Sequence, residues 1–403
     1  YYSKDDLGIT YLNNSISFKL WAPTSIKVEL LLYKEWYINH EDDVIKYPMI
    51  YDYKTGVYTT VVNKEDADGM YYLYKLYFRD VDINGKIIET VTYAVDPYAN
   101  SVSVNGDKGY VLDINEKSTK PIGFTNHPIP ILSEKDDSII YEMHIRDFTI
   151  DESSGVINDL RGTYLGAVEE NTIYKNPYNG KYVKTGINHL CELGITHVHL
   201  MPIFDFGSVD ERFPGSNNRN WGYDPKNFNV PEGSYCSNPY NPVTRILELR
   251  QMIMKFHERG IRVVMDMVYN HMMSTVNMDN IVPGYYFRSD YLGRYTNGSG
   301  CGNELASERP MVRKFIIDSC LHWIKDYKID GIRFDLMELL DIDTTKEIVK
   351  KTTKLDKNFL IYGEPWKGGS SPLVNGTYKG SQKNENFSIF NDTFRDAIRG
   401  NNH

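Results

Sequence analysis

Alternating apolar and polar positions characterise the first 115 residues. Residues 16–20 alternate with a period of two, and similar runs follow at 26–33, 57–62 and 71–78. Asn84-Gly85 lies between two such runs, which is typical of a tight hairpin turn. Short strands at this spacing, without a helical stretch, predict a β-sandwich domain over residues 1–115.

The tryptophans and the segment after the sandwich refine this picture. Trp21 ends an alternating strand, so we expect it in the core, whereas Trp36 is a candidate ligand platform. Residues 116–137 hold Pro121, Pro128 and Pro130 and show no period, which predicts a linker.

From residue 138 onward, short apolar runs alternate with amphipathic stretches. Strictly alternating strands and helices imply a parallel sheet, and long loops after the strands favour a (β/α)8 TIM barrel over an open sheet. We therefore predict a barrel over residues 138–403, incomplete because only six strands are found. The predicted strands are 139–145, 195–201, 261–268, 330–336, 359–362 and 387–390, and the predicted helices are 186–193, 244–259, 308–327 and 343–353.

The strand Gly331 to Leu336 carries two charges on one face. Ile332, Phe334 and Leu336 alternate with Arg333 and Asp335. The guanidinium would hold the carboxylate ionised and orient it, which suits a nucleophile. On this stretch alone, a purely structural ion pair explains the pattern equally well.

Three predicted strands end in chemistry-bearing residues, namely His271, Asp335 and Glu364. Barrel enzymes carry their chemistry at these carboxyl ends. Two carboxyl groups about 5 Å apart can cleave a glycosidic bond with retention, one attacking and the other protonating the leaving oxygen. We assign the attack to Asp335 and the proton transfer to Glu364, whose neighbours Pro365 and Trp366 would raise its pKa. His271 could contact substrate hydroxyls or be a satisfied core histidine.

Two further features are open to more than one interpretation. His197 and His199 share one strand face, but no third zinc ligand is near in sequence, so packing is the better explanation. The loop Asn220-Trp221-Gly222-Tyr223-Asp224-Pro225 could place Tyr223 under a sugar ring and Asp224 against its hydroxyls. A turn with buried aromatics is the alternative.

Composition excludes some partners and leaves others open. The net charge of −9 and the lack of a basic stripe argue against nucleic acid, and no apolar run predicts a membrane span. The 32 tyrosines are explained equally well by a sugar-binding surface and by the amino-acid composition of the source. Four widely spaced cysteines fit free thiols and favour a cytoplasmic over a secreted bacterial location. Calcium is possible without an EF-hand pattern, and oligomeric state is not indicated.

Taken together, these motifs resemble the α-amylase superfamily, glycoside hydrolase family 13. Three of its four short regions have counterparts here, and Asn220 to Pro225 resembles the loop signature of type I pullulanases. The N-terminal sandwich is similar to a family 48 carbohydrate-binding module. The counterparts are 266–271, 331–335 and 363–366, and segments 302–310 and 395–400 also resemble pullulanases.

The resemblance implies hydrolysis of α-1,6-glucosidic branch bonds in pullulan, amylopectin or limit dextrins, with no required cofactor. An α-1,4-amylase, a branching transglycosylase and a non-catalytic glucan-binding protein are the alternatives. The residues implied in catalysis are Asp335 and Glu364, and those implied in substrate binding are Arg333, His271, Tyr223, Asp224, Trp221, Asn220 and Trp366.

Three departures from the family pattern stand out. Arg219 occupies a position where tyrosine is usual, and Glu304 one where aspartate is more frequent. The fourth region, a His-Asp pair on the seventh strand, has no counterpart before His403. A barrel cannot close without its last strands, so we expect further chain to complete it.

Overall fold

The computed structural model describes residues 1–39, 41–213 and 220–400. Arg219 and His403 therefore lie outside the described residues. Within the described residues, the N-terminal part contains nine strands and one short α-helix, and its alternating positions form the strands as predicted. Their bounds are β1 Gly8–Tyr11, β2 Ser15–Trp21, β3 Lys27–Tyr33, β4 Ile45–Pro48, β5 Ile50–Asp52, β6 Val57–Asn63, α1 Lys64–Ala67, β7 Tyr71–Val81, β8 Ile87–Ala94 and β9 Gly109–Tyr110.

These strands form two antiparallel sheets, ordered β1-β2-β6-β5 and β4-β3-β7-β8, with β9 beside β7. Apolar side chains of both sheets share one core, in which Trp21 is only 8% exposed. Core packing of Trp21 is thus confirmed, whereas Trp36 is only partly buried and lies against Tyr240 of the following part. The turn at Asn84-Gly85 joins β7 to β8, with Gly85 at a φ of 80°.

The second part is built on six parallel strands in the order β10-β13-β16-β17-β18-β19, which curl into part of a barrel. This confirms the predicted incomplete (β/α)8 architecture. Four further strands, β11, β12, β14 and β15, lie outside this sheet. In chain order the strands of this part are β10 Ile140–Met143, β11 Ile173–Lys175, β12 Tyr182–Lys184, β13 His197–Leu200, β14 Phe204–Phe206, β15 Pro225–Pro231, β16 Arg262–Met267, β17 Gly331–Phe334, β18 Leu360–Gly363 and β19 Ser388–Ile389.

Helices pack against the outside of this sheet through their apolar faces. Leu190, Ile253, Trp323 and Ile348 are each at most 1% exposed, and the helix 186–193 ends at Gly194, whose φ of 69° only glycine adopts easily. The helices are α2 Ile145–Thr149, α3 Gly186–Leu193, α4 Pro242–Glu258, α5 Val276–Asp279, α6 Pro310–Tyr327, α7 Ile342–Leu355 and α8 Asp392–Arg399.

Two hairpins lie outside the predicted pattern. β11 pairs with β12, and β14 pairs with β15, both antiparallel. The second hairpin carries the loop Asn220 to Pro225 and brings it to the carboxyl edge of the parallel sheet. The division of the chain at residues 116–137 stays a prediction. Among the described residues, no helix has the length and apolar character needed to cross a membrane.

Candidate active site

The carboxyl ends of β16, β17 and β18 meet at one wall of a cleft of 990 Å³. Parallel pairing in register brings this about, since Asp266 lies opposite Arg333 and Phe334 lies opposite Gly363. Seven of the nine predicted site residues line the cleft: Trp221, Tyr223, His271, Arg333, Asp335, Glu364 and Trp366. The other two, Asn220 and Asp224, line an adjoining cavity of 650 Å³.

Arg333 is the centre of the site. Its Nη1 lies 3.0 Å from Asp335 Oδ1, and its Nη2 lies 2.7 Å from Glu364 Oε1. One guanidinium therefore bridges the two candidate catalytic carboxyl groups, which places them within about 8 Å of each other. Nη1 also donates to both oxygens of Asp266, at 2.9 and 3.0 Å. Three carboxyl groups thus share a single buried cation.

Asp335 differs from the expectation that Arg333 alone would keep it ionised. Burial, followed by repulsion from Asp266, raises the pKa of Asp335 to about 7, although Arg333 opposes this shift. The guanidinium charge is shared with Asp266 and Glu364, so its effect on any one carboxyl group is diluted. Asn270 Nδ2 donates to Asp335 Oδ2 at 2.8 Å and fixes the orientation of the carboxyl group.

Glu364 is held by two donors instead of an apolar pocket alone. Arg333 contacts Oε1, and the backbone N–H of Leu336 donates to Oε2 at 3.1 Å. Pro365 is buried, but the ring of Trp366 stacks on Phe390, with centroids 6.4 Å apart, in the cleft wall. The predicted apolar neighbours therefore form only part of the surroundings of Glu364. Both of its polar contacts come from Arg333 on β17 and from Leu336, which follows β17.

Asp266 is a site residue that the sequence prediction missed. It is fully buried and accepts hydrogen bonds from Arg333, from Tyr223 Oη at 2.9 Å and from His199 Nε2 at 3.3 Å. Burial favours its neutral form, but Arg333 and His199 outweigh burial and lower the pKa of Asp266. A lone acidic residue inside the apolar strand 263–268 is a signal that could have identified it.

The loop between β14 and β15 holds Tyr223 over this network. Gly222 precedes it with a φ of 88°, and a Cβ there would lie 2.8 Å from the Pro202 side chain. Asp224 accepts from the Ser208 N–H and from Asn220 Nδ2, both at 2.7 Å. These bonds fix the Asp224 carboxylate inside the loop, and its role with sugar hydroxyls stays a prediction. Trp221 is 57% exposed at the cleft.

His271 is buried, at 3% exposure, and still borders the cleft. Its Nδ1 lies 2.6 Å from Asn270 Oδ1, and burial lowers the pKa of His271, which favours the neutral imidazole. His271 is thus a packed histidine that also borders the cleft, and its contact with substrate hydroxyls stays a prediction. Other cleft residues were not predicted: Glu142, His144, Asp147, Cys301, Phe390, Asn391, Asp392 and Arg395.

Two clusters bear on metal binding. His199 pairs with Asp266, while His197 lies 2.7 Å from Thr196 Oγ1, so the two histidines have separate partners. Asp205, Glu211 and Glu232 form a buried acidic group whose oxygens lie within 4.8 Å of one another. Arg245 enters this group, 2.7 Å from Glu211 Oε2. Calcium binding stays a prediction.

Comparison with known proteins supports the resemblance in both parts of the chain. Residues 181–282 match the α-amylase catalytic domain family, and residues 6–99 match carbohydrate-binding module 48, the isoamylase N-terminal domain. A pullulanase of Bacillus subtilis is 39% identical over 407 residues, which is 100% of this chain and 52% of that protein. Pullulanase 1 of Arabidopsis thaliana is 32% identical, over 98% of this chain and 44% of its own length.

Solved structures of pullulanases are also similar to this chain along nearly its whole length. The pullulanase from Paenibacillus barengoltzii, in complex with maltohexaose and α-cyclodextrin, superposes with a TM-score of 0.90 at 41% identity, over 99% of this chain and 59% of that one. The chain spans about half the length of the curated relatives it matches. With the half-barrel and the Arg333-centred cleft, these matches show that the chain belongs to the type I pullulanases of glycoside hydrolase family 13, with an N-terminal family 48 carbohydrate-binding module.

Proposed function

We propose that the protein carrying this chain hydrolyses α-1,6-glucosidic branch bonds in pullulan, amylopectin or limit dextrins. The observation that carries the proposal is the single Arg333 guanidinium that joins Asp335 and Glu364 at the wall of one cleft. Aromatic rings from Trp221, Tyr223 and Trp366 line the same cleft and offer flat surfaces for sugar rings.

The two carboxyl groups take distinct roles. Asp335, oriented by Asn270 and Arg333, attacks the anomeric carbon to form a glycosyl-enzyme intermediate. Glu364 protonates the departing glucosidic oxygen and then deprotonates the water that releases the sugar. His271 and Arg333 contact the reacting sugar, and Tyr223 stacks beneath it. No cofactor takes part in this scheme, because both proton transfer and nucleophilic attack come from side chains.

The experiment measures maltotriose released from pullulan by the protein and by Asp335→Asn, Glu364→Gln and Asp343→Asn. The first two should lose activity by a factor of about 10³ or more, because each removes one of two groups that act together. Asp343 lies on the outer helix α7, where it is exposed, so the same chemical change there should leave the rate unchanged.

Other outcomes would contradict the proposal. Full activity of Asp335→Asn would remove the nucleophile assignment. Cleavage of linear α-1,4 glucans with pullulan left intact would indicate an amylase, and lengthened branches would indicate a transglycosylase. Maltooligosaccharide binding without turnover, unaltered by either substitution, would indicate a glucan-binding protein.

A further inference from the structure

Both peptide planes that flank His271 are held by a neighbouring stretch of chain. His271 lies in the irregular connection between β16 and α5. The Leu305 N–H donates to the Asn270 carbonyl at 2.9 Å, which fixes the plane before His271. Asn303 Oδ1 accepts from the Met272 N–H at 3.1 Å, which fixes the plane after it. Because peptide groups are planar, the two planes together set φ and ψ of His271 and so the direction of its side chain.

The Asn303 amide pairs with the Met272 backbone as a strand partner would. Its Nδ2 donates to the Met272 carbonyl at 2.8 Å, so one side chain satisfies both backbone groups of a single residue. Asn303 and Met272 are both buried, at 4% and 2% exposure. A buried backbone group without a partner costs free energy comparable to a lost hydrogen bond. We therefore expect the connection to shift when this amide is removed.

Buried contacts anchor Asn303 itself. Its carbonyl accepts from the Ser299 hydroxyl. The next residue, Glu304, is fully buried, and its Oε2 lies 3.0 Å from Arg288 Nη1. The Arg288 N–H also donates to the Glu304 carbonyl at 2.9 Å. The amide therefore projects from a fixed part of the chain toward the irregular connection that carries His271.

We propose that Asn303 is a positioning residue for glucan cleavage, which holds His271 at the angle at which its imidazole borders the cleft of Asp335 and Glu364. The inference rests on the proposed function. His271 contacts the reacting sugar in that scheme, and a misplacement of about 1 Å in such a group can slow a reaction about 100-fold. Asn303 acts through His271 and not by contact with the sugar.

Asn277 offers a matched control, because its amide makes the same pair of bonds at another place. Its Oδ1 accepts from the Val95 N–H at 2.8 Å, and its Nδ2 donates to the Val95 carbonyl at 3.1 Å. These bonds join α5 to the chain at the end of β8 in the N-terminal module. We expect kcat/KM on pullulan to fall about 10- to 100-fold in Asn303→Ala and to be unchanged in Asn277→Ala.

A double-mutant cycle separates positioning from general support of the fold. If Asn303 acts through His271, Asn303→Ala should cost less than about twofold in a protein that already carries His271→Ala. Equal losses in both backgrounds, or full activity of the single variant Asn303→Ala, would overturn the inference. Urea unfolding checks that each variant is folded. Should Asn303→Ala not fold, Asn303→Ser, whose hydroxyl is one bond shorter than the amide, replaces it in the same cycle.

A second measurement needs no substrate. With ring-labelled histidine, the imidazole resonance of His271 is assigned by its loss in His271→Ala. It should shift in Asn303→Ala and stay in place in Asn277→Ala, and an unmoved resonance in Asn303→Ala would overturn the inference. If the unaltered protein fails to cleave pullulan, the proposed function fails, and the resonance still decides whether Asn303 orients His271.

Discussion

The backbone N–H of Leu336 donates to Glu364 Oε2 at 3.1 Å, and Leu336 reaches this position in a left-handed conformation with φ of 42° and ψ of 52°. Leu336 directly follows Asp335, so one strained residue links the two candidate catalytic carboxyl groups. Left-handed backbone costs a non-glycine residue about 1–2 kcal/mol. Such strain persists only where the surrounding structure enforces it.

This strain predicts that glycine is more stabilising than alanine at position 336, which is the reverse of their usual order. Leu336→Gly should be more stable than Leu336→Ala by about 1 kcal/mol, because glycine adopts this conformation freely and alanine does not. Both variants lack the leucine side chain, so alanine is the control for lost packing. Urea unfolding of the two proteins measures the difference. Equal stabilities would show that the conformation relaxes when the side chain is removed.

The hydroxyl group and the ring of Tyr223 should make separable contributions. Tyr223→Phe removes the 2.9 Å hydrogen bond to Asp266 and keeps the stacking surface. We expect kcat/KM on pullulan to fall about 10- to 100-fold through kcat, since a bond to a charged group is lost. Tyr223→Ala should in addition raise KM. Steady-state kinetics of both variants test this, and a change confined to KM in Tyr223→Phe would assign the hydroxyl group to substrate binding.

The buried acids away from the cleft predict how stability depends on pH. Burial, followed by repulsion from Glu211, raises the pKa of Asp205 to about 7. An unfolded aspartate ionises near pH 4, so the folded state binds the extra proton between about pH 4 and 7. The stabilisation from Asp205 is therefore fully present below about pH 4 and is lost as pH rises through 7.

Asp205→Asn should remove this dependence. The loss of unfolding free energy between pH 4.5 and 8 should be smaller in the variant by roughly 2–4 kcal/mol, at about 1.4 kcal/mol per pKa unit. Urea unfolding at both pH values measures the change, with the exposed Asp343→Asn as the control. Identical pH slopes in Asp205→Asn and the unaltered protein would show that Asp205 is ionised in the folded state.

The contact between the N-terminal module and the barrel can be tested at one glycine. A Cβ at Gly106 would lie 2.5 Å from Asp205 Oδ2 and 2.7 Å from Asn227 Nδ2, and φ is +70°. Gly85 has a φ of +80°, and a Cβ there would meet none of the described atoms within 4 Å. We expect Gly85→Ala to cost about 1 kcal/mol of unfolding free energy and Gly106→Ala about 3 kcal/mol or more. Similar costs, measured by urea unfolding, would mean that the turn moves away from the barrel.

Much of the half-barrel could be predicted from periodicity and from glycine stops. The helix at 186–193 was predicted with its bounds because apolar spacing and Gly194 mark both ends. The hairpin of β14 and β15 was missed because Pro225 and Pro231 bound its second strand and its polar residues, such as Asn227, are buried. Their partners come from distant segments, which local patterns do not show.

The candidate site was predictable as a set of residues but not as a network. Strand ends indicated His271, Asp335 and Glu364, since parallel strands share one carboxyl edge. The sequence does not reveal that Arg333 also binds Asp266, because this depends on which strands are neighbours. The raised pKa of Asp335 follows from burial and from repulsion by Asp266, and neither is visible from the spacing of two residues on one strand.

Because one guanidinium joins three acids, these four positions constrain one another's substitution. Loss of any acid frees the arginine to bind the remaining two more tightly, so paired replacements should fall short of the sum of the single ones. Divergence at this site would then proceed through coordinated changes, and drift at one member would first have to be compensated at another.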